Sequence, residues 1–173
     1  MIPPGPLMKE HRLIEQMIGL LKAGIPAIEQ SKTFYPAFIE KTVDFFRIYA
    51  DRTHHGKEED IFFKKLSGKK LQPQHKAIMD QLISEHVFAR DQVRALEKSA
   101  AQKNGDDVAA RLKTLVGFYP PHIQKEDKQF FLPVMIYLTD EEKNRMLEDF
   151  RTFDSRLIQE KYRSIIETFP APV

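Results

Sequence analysis

The chain has 173 residues, 42% apolar and 30% charged, with 25 acids against 27 lysines and arginines. That is the length of one domain with a self-sufficient core, and the charge balance excludes both charge-driven disorder and a strongly basic nucleic-acid footprint. With no cysteine, disulfide scaffolds, thiolate zinc fingers, iron–sulfur clusters on thiolates and cysteine nucleophiles are excluded, so any metal must be held by His and carboxylate.

Strand-like alternation is absent, and apolar residues recur at helical spacing. Leu7, Ile14, Ile18, Leu21, Ile25 and Ile28 step by 7, 4, 3, 4 and 3; this predicts a first helix over 7–30, weakened or kinked at Gly24 to Pro26, where proline deletes a backbone hydrogen bond. After Ser31 to Thr33 a second helix is predicted over 34–66. The third, over 73–104, can begin with Pro73 in its first turn, and the fourth, over 106–137, with Asp106 or Asp107 as its cap. Pro121, directly before His122, either kinks the fourth helix or starts a new one near 120. A fifth helix over 140–168 opens on Thr139, Asp140, Glu141 and Glu142 and carries the stripe Met146, Phe150, Phe153, Leu157 and Ile158. Loops of roughly 2 to 6 residues make long helices antiparallel neighbours. The expected fold is therefore all-α, one domain over 1–173: an up-down-up-down four-helix bundle over 7–137, with an additional C-terminal helix packed on it or forming a homodimer contact. No apolar run approaches the roughly 18 residues of a membrane span and Met1 to Pro6 is not a signal core, so a cytoplasmic protein with no membrane or nucleic-acid partner is expected.

Four of the six histidines complete apolar stripes. His11 fills the series Leu7, His11, Ile14, Ile18. His54 and Glu58 follow Phe46 and Ala50; His86 lies between Leu82 and Ala89; His122 and Glu126 lie between Tyr119 and Phe130. Their depths also agree. His11 is 19 residues before the end of the first helix and His54 is 20 after the start of the second, and the other pairs of neighbours differ by one or two residues, within about 3 Å at the helical rise. One histidine per helix meets at one layer, an argument that assumes a continuous fourth helix.

The chain also repeats itself. His54 to Phe63 matches His122 to Phe131 as His-x-x-Lys-Glu-acid-x-x-Phe-Phe at an offset of 68, and Glu10-His11 echoes Glu85-His86 at an offset of 75. Two ligand sets around a pseudo-twofold axis follow. His at i and Glu at i+4 share a helix face, so either can reach one metal or the Glu can bridge two. Four imidazoles and two carboxylates exceed a tetrahedral zinc site and suit two octahedral ions; metal charge also compensates two buried glutamates. His-Glu-x-x-His is absent, which disfavours zinc-protease chemistry.

The series His11, His54-His55-Gly56-Lys57-Glu58-Glu59, Glu85-His86 and His122-x-x-x-Glu126 resembles the hemerythrin-like, HHE cation-binding domains, over roughly 7–137. The resemblance implies a non-haem centre of two iron ions, oxo- or hydroxo-bridged, with His11, His54, Glu58, His86, His122 and Glu126 at ligand positions, and roles in oxygen binding, oxygen or iron sensing, or nitric oxide response with cluster repair. Two features depart from the family. Oxygen-carrying members have a second histidine four residues from the first in the third helix, where this chain has Leu82 and Arg90 around His86; the set is then one histidine short. The cysteine-bearing N-terminal segment of members linked to cluster repair is also missing.

His55, about 100° round the helix from His54, either supplies the missing ligand or stays outside the site. His75, 11 residues from His86 and so about 16 Å away, is expected elsewhere. Lys57 and Lys125 are expected to be solvated. Phe62, Phe63, Phe130 and Phe131 fall one turn below the carboxylates, as core that also keeps water out. The first functional expectation is a di-iron protein that binds oxygen or nitric oxide or senses iron or redox state. The second is a di-iron enzyme with oxidase, peroxidase or nitric-oxide-related activity. The third is a zinc-holding or metal-free bundle acting on a protein partner.

Overall fold

Helical spacing carries most of the chain into helices, and the computed structural model describes residues 2–32, 35–154 and 156–169. Helix α1 spans Pro4–Ser31. Helix α2 runs over 36–67, α-helical at Pro36–Asp44 and Lys64–Ser67 with π-helical stretches at Phe45–His55 and Glu58–Phe63. Helix α3 is Pro73–Ala101; α4 runs over 105–130, its last residues, Glu126–Phe130, again π-helical. A 3-10 turn at Pro133–Tyr137 leads to α5, Asp140–Phe153, and α6, Arg156–Glu167. Among the described residues there is no strand, and no helix is long and apolar enough to cross a membrane.

The chain stays helical through Pro26, the point where a weakened or kinked helix is expected, and the buried Gly24, Ile25 and Ile28 keep that segment docked. It likewise passes through Pro120 and Pro121 without a break, so the continuous alternative holds for His122. The cap of α4 is Asn104, whose side chain accepts from the Asp107 amide at 3.1 Å; Asp106 and Asp107 sit inside the first turn, where their charge meets the positive helix end. Pro133 supplies no amide donor, and the fourth helix gives way to the 3-10 turn before 137. Thr139 and Glu142 form the reciprocal cap of α5.

The predicted fifth helix is instead two, parted at Asp154, whose backbone is extended and whose carboxylate is drawn to Lys57. In α5, Met146 and Phe150 pack into the bundle, while Phe153 lies against Gly56. The side chains of Leu157 and Ile158, like Phe34 at the expected start of the second helix, lie outside the described residues. In α6, Tyr162 is buried against Phe45 and Tyr49 and its hydroxyl donates to Asp44.

Helix α1 lies along α4, α4 along α3, and α3 beside α2. The apolar core is in two parts. One holds Ile14, Met17, Leu21, Phe46, Val93, Leu115 and Tyr119; the other holds Leu7, Phe62, Phe63, Leu82, Phe130 and Phe131. Between them lies a buried polar layer.

Candidate metal centre

The layer forms because each helix replaces one apolar residue of its inward stripe by histidine: His11 between Leu7 and Ile14, His86 between Leu82 and Ala89. The π-helical stretches add to this. Their i to i+5 backbone bonding widens the turn, as where the Phe131 amide donates to the Glu126 carbonyl at 2.9 Å; the Thr53 side-chain hydroxyl also donates to the Ile48 carbonyl, five residues back, at 2.7 Å. Two consecutive residues can then face inward. His54 with His55, Phe62 with Phe63, and Glu126 with Asp127 are all buried pairs.

The side chains converge in two groups, His11, His54, Glu58 and Glu126 in one and His55, His86 and His122 in the other, each with one atom per residue within 4.8 Å of the others. The glutamates span both. Glu58 puts Oε1 3.3 Å from His54 Nε2 and Oε2 3.3 Å from His86 Nε2. Glu126 puts Oε2 3.1 Å from His11 Nε2, and Oε1 3.3 Å from His122 Nε2 and 3.4 Å from His86 Nε2. Most of these atoms have no hydrogen-bond partner although buried: Nε2 of His11, His54 and His122, both nitrogens of His55, both oxygens of Glu58, and Glu126 Oε2. Orphaned lone pairs concentrated at one point are what a cation would satisfy.

The outward nitrogens are fixed by acids. Nδ1 of His11 lies 2.7 Å from Asp127, that of His54 2.8 Å from Glu10, that of His86 2.7 Å from Glu59 and that of His122 2.7 Å from Glu85. Each carboxylate can accept Nδ1–H, leaving the Nε2 lone pair facing the centre. Each acid also holds a cation: Arg12 on Asp127, Lys57 on Glu10, Arg90 on Glu59, Lys125 on Glu85. The pseudo-twofold pattern of the sequence thus extends to acid and base: each helix supplies the acid for the histidine and cation of the next, α1 to α2, α2 to α3, α3 to α4 and α4 back to α1.

Protons alone balance this site unevenly. Burial, followed by the neighbouring Glu126 charge, pushes Glu58 well up. Burial acts against ionisation of Glu126 too, but His122, His11 and His86 outweigh it and hold that carboxyl well below the ordinary range. His11 is buried, yet its bond to Asp127 and the adjacent Glu126 carboxylate raise it to about 9, whereas burial and the His11 charge lower His54 to about 4. Burial and the surrounding imidazoles keep His55 neutral.

The structure brings His11, His54, Glu58, His86, His122 and Glu126 into the layer and adds His55, stacked on His86 with ring centroids 3.9 Å apart. His75 stands apart, its Nδ1 2.8 Å from the Tyr137 hydroxyl. Lys57, expected in solvent, is fully buried, because Glu10 and Asp154 take its ammonium group and the Phe150 ring of α5 lies beside it; Lys125, the matching residue, keeps partial exposure. The surrounding acids Glu10, Glu59, Glu85 and Asp127 were visible as repeated positions beside the ligand-type residues, but their partners lie on other helices.

Among known protein families, the model of the hemerythrin HHE cation binding domain fits residues 6–132. No curated protein and no solved structure matches the chain. The buried His and Glu cluster fits the metal site that such a domain implies.

Proposed function

We propose that this chain, which belongs to the hemerythrin HHE cation-binding domain family, holds two iron ions and uses them to bind or sense oxygen or nitric oxide. His11 and His54 would ligate one ion, His55, His86 and His122 the other, with Glu58 and Glu126 bridging. The supporting observation is the spacing of imidazole nitrogen from carboxylate oxygen, 3.1 to 3.4 Å without hydrogen bonds at most of these atoms. Adjacent ligands of an octahedral ion with bonds of about 2.1 Å stand about 3 Å apart. With His55 in the set, the pair of ions is no longer one histidine short, and the less crowded group is that of His11 and His54.

Two such ions supply one-electron chemistry and a coordination position for a diatomic molecule. The protein does the rest. Asp127, Glu10, Glu59 and Glu85 orient four imidazoles; Phe131, stacked on His11 at 5.7 Å, and the buried Phe62, Phe63 and Phe130 exclude water from the side of the second core. The same reading takes the four long helices as an antiparallel up-down-up-down bundle in one domain, supported by the short connections 68–72 and 102–104.

The test is anaerobic purification, iron and zinc quantitation, and absorption spectra before and after oxygen or nitric oxide. Two irons per chain and a spectral change with either gas are expected. Zinc content, or iron with no response to either gas, would overturn the reading.

A further inference from the structure

A cavity of about 180 Å3 between α2, α3 and α4 reaches the layer from outside. Phe46, Ala89 and Tyr119 wall it and His55 is its floor. At its rim, Arg90 and Asp51 keep roughly a third of their side chains exposed (29% and 32%), whereas the His55 side chain is 1% exposed. Arg90 Nε donates to Asp51 at 2.7 Å and Nη2 to Glu59 at 2.6 Å. Both carboxylates lead inward: Asp51 lies 3.5 Å from His55 Nδ1, and Glu59 accepts from His86. One guanidinium on α3 therefore ties down two acids of α2, each beside one of two stacked imidazoles of the same group.

The arrangement is lopsided. The other four histidines of the layer have an acid at 2.7 or 2.8 Å, but His55 has, among the described residues, only Asp51 at 3.5 Å, and neither of its nitrogens is hydrogen-bonded. Asp51 is held by Arg90 instead. Withdrawal of the guanidinium would free Asp51 to turn to His55, leave Glu59 without its cation and open the rim.

We propose that this cavity is the route between solvent and the His55, His86 and His122 group, and that Arg90 is the positioning residue that closes it. The planar fork is the relevant chemistry, since lysine offers a point charge that cannot bridge two carboxylates in the same way. The statement about cation exchange rests on the di-iron reading; the statement about access to His55 does not.

Two measurements separate these. In chelator-treated protein, labelling of neutral imidazoles by diethyl pyrocarbonate, read histidine by histidine by mass spectrometry, should rise at His55 in Arg90→Ala and stay unchanged at His11. In iron-loaded protein, transfer to an excess chelator should quicken for one of two ions by about 10- to 100-fold, the usual effect of losing a group that orients a ligand. Arg12→Ala, which frees Asp127 on the opposite side, should leave His55 labelling as it was. Arg90→Lys should fall between wild type and Arg90→Ala, and carries both measurements if the alanine variant fails to fold. Unchanged His55 labelling in the Arg90 variants, or equal labelling in Arg12→Ala, overturns the route. Wild-type protein that takes up no iron overturns the di-iron reading, and the labelling then decides the route by itself.

Discussion

Lys57 and Glu10 form an ion pair in which the lysine has no solvent exposure, and the carboxylate that holds the lysine also takes the Nδ1 of His54. Asp154 closes the same lysine from the other side, and Gln159 donates to both acids at 3.3 and 3.1 Å. A surface residue of an isolated bundle thereby becomes a link between the C-terminal helices and an inward histidine.

Replacing Lys57 by Met should therefore destabilise the fold by about 3–5 kcal/mol, the cost of leaving a buried charge without its partner. Glu10 is kept ionised despite its burial by His54 and Lys57 together, so adding Glu10→Gln to Lys57→Met should recover part of the loss. Urea unfolding of the three proteins checks this, and an additive double variant would show the pair to be uncoupled.

Glu58 and Glu126 should respond differently to neutralisation. Burial already favours protonated Glu58 in the absence of a cation, so Glu58→Gln should leave chelated protein as stable as wild type. Glu126 is the ionised partner of His122, His11 and His86, and Glu126→Gln should lower the stability of chelated protein. Both variants should hold one ion or none, against two in wild type. Calorimetry of chelated samples and metal analysis of loaded ones give the comparison.

His55→Ala is expected to lose about half the metal, since it removes one of three nitrogens from one group only. His75→Ala should keep full metal content and lose about 1 kcal/mol with its bond to Tyr137. The reverse result for these two histidines would break the assignment of the groups.

The pH dependence follows from His11, raised from 6.5 to about 9. A raised histidine stabilises the chelated fold fully below the unfolded value and loses that contribution as pH rises through the folded one. Between about 6.5 and 9 the chelated protein should therefore weaken with pH, and His11→Gln should flatten the slope. A cation must expel the same proton, so uptake at pH 8 should release at least one proton to an indicator dye. Uptake without proton release would place the cation away from His11.

The sequence by itself determined the four long helices and the four histidines at one depth, because hydrophobic periodicity is local and a residue substituted into an inward stripe must face inward. It also carried the repeat and the family resemblance. His55 stayed undecided, since a 3.6-residue period turns it to the flank, and only the wider π turn at Phe45–His55 faces it beside His54. The single fifth helix and the solvated Lys57 were overturned together, as Asp154 leaves helical geometry where it meets that lysine. The exchange of acids between helices was likewise decided by tertiary structure. Glu10 bonds a residue 44 positions away and Asp127 one 116 away, and pairings across that much chain depend on how helices are rotated against one another, a quantity that no local pattern encodes.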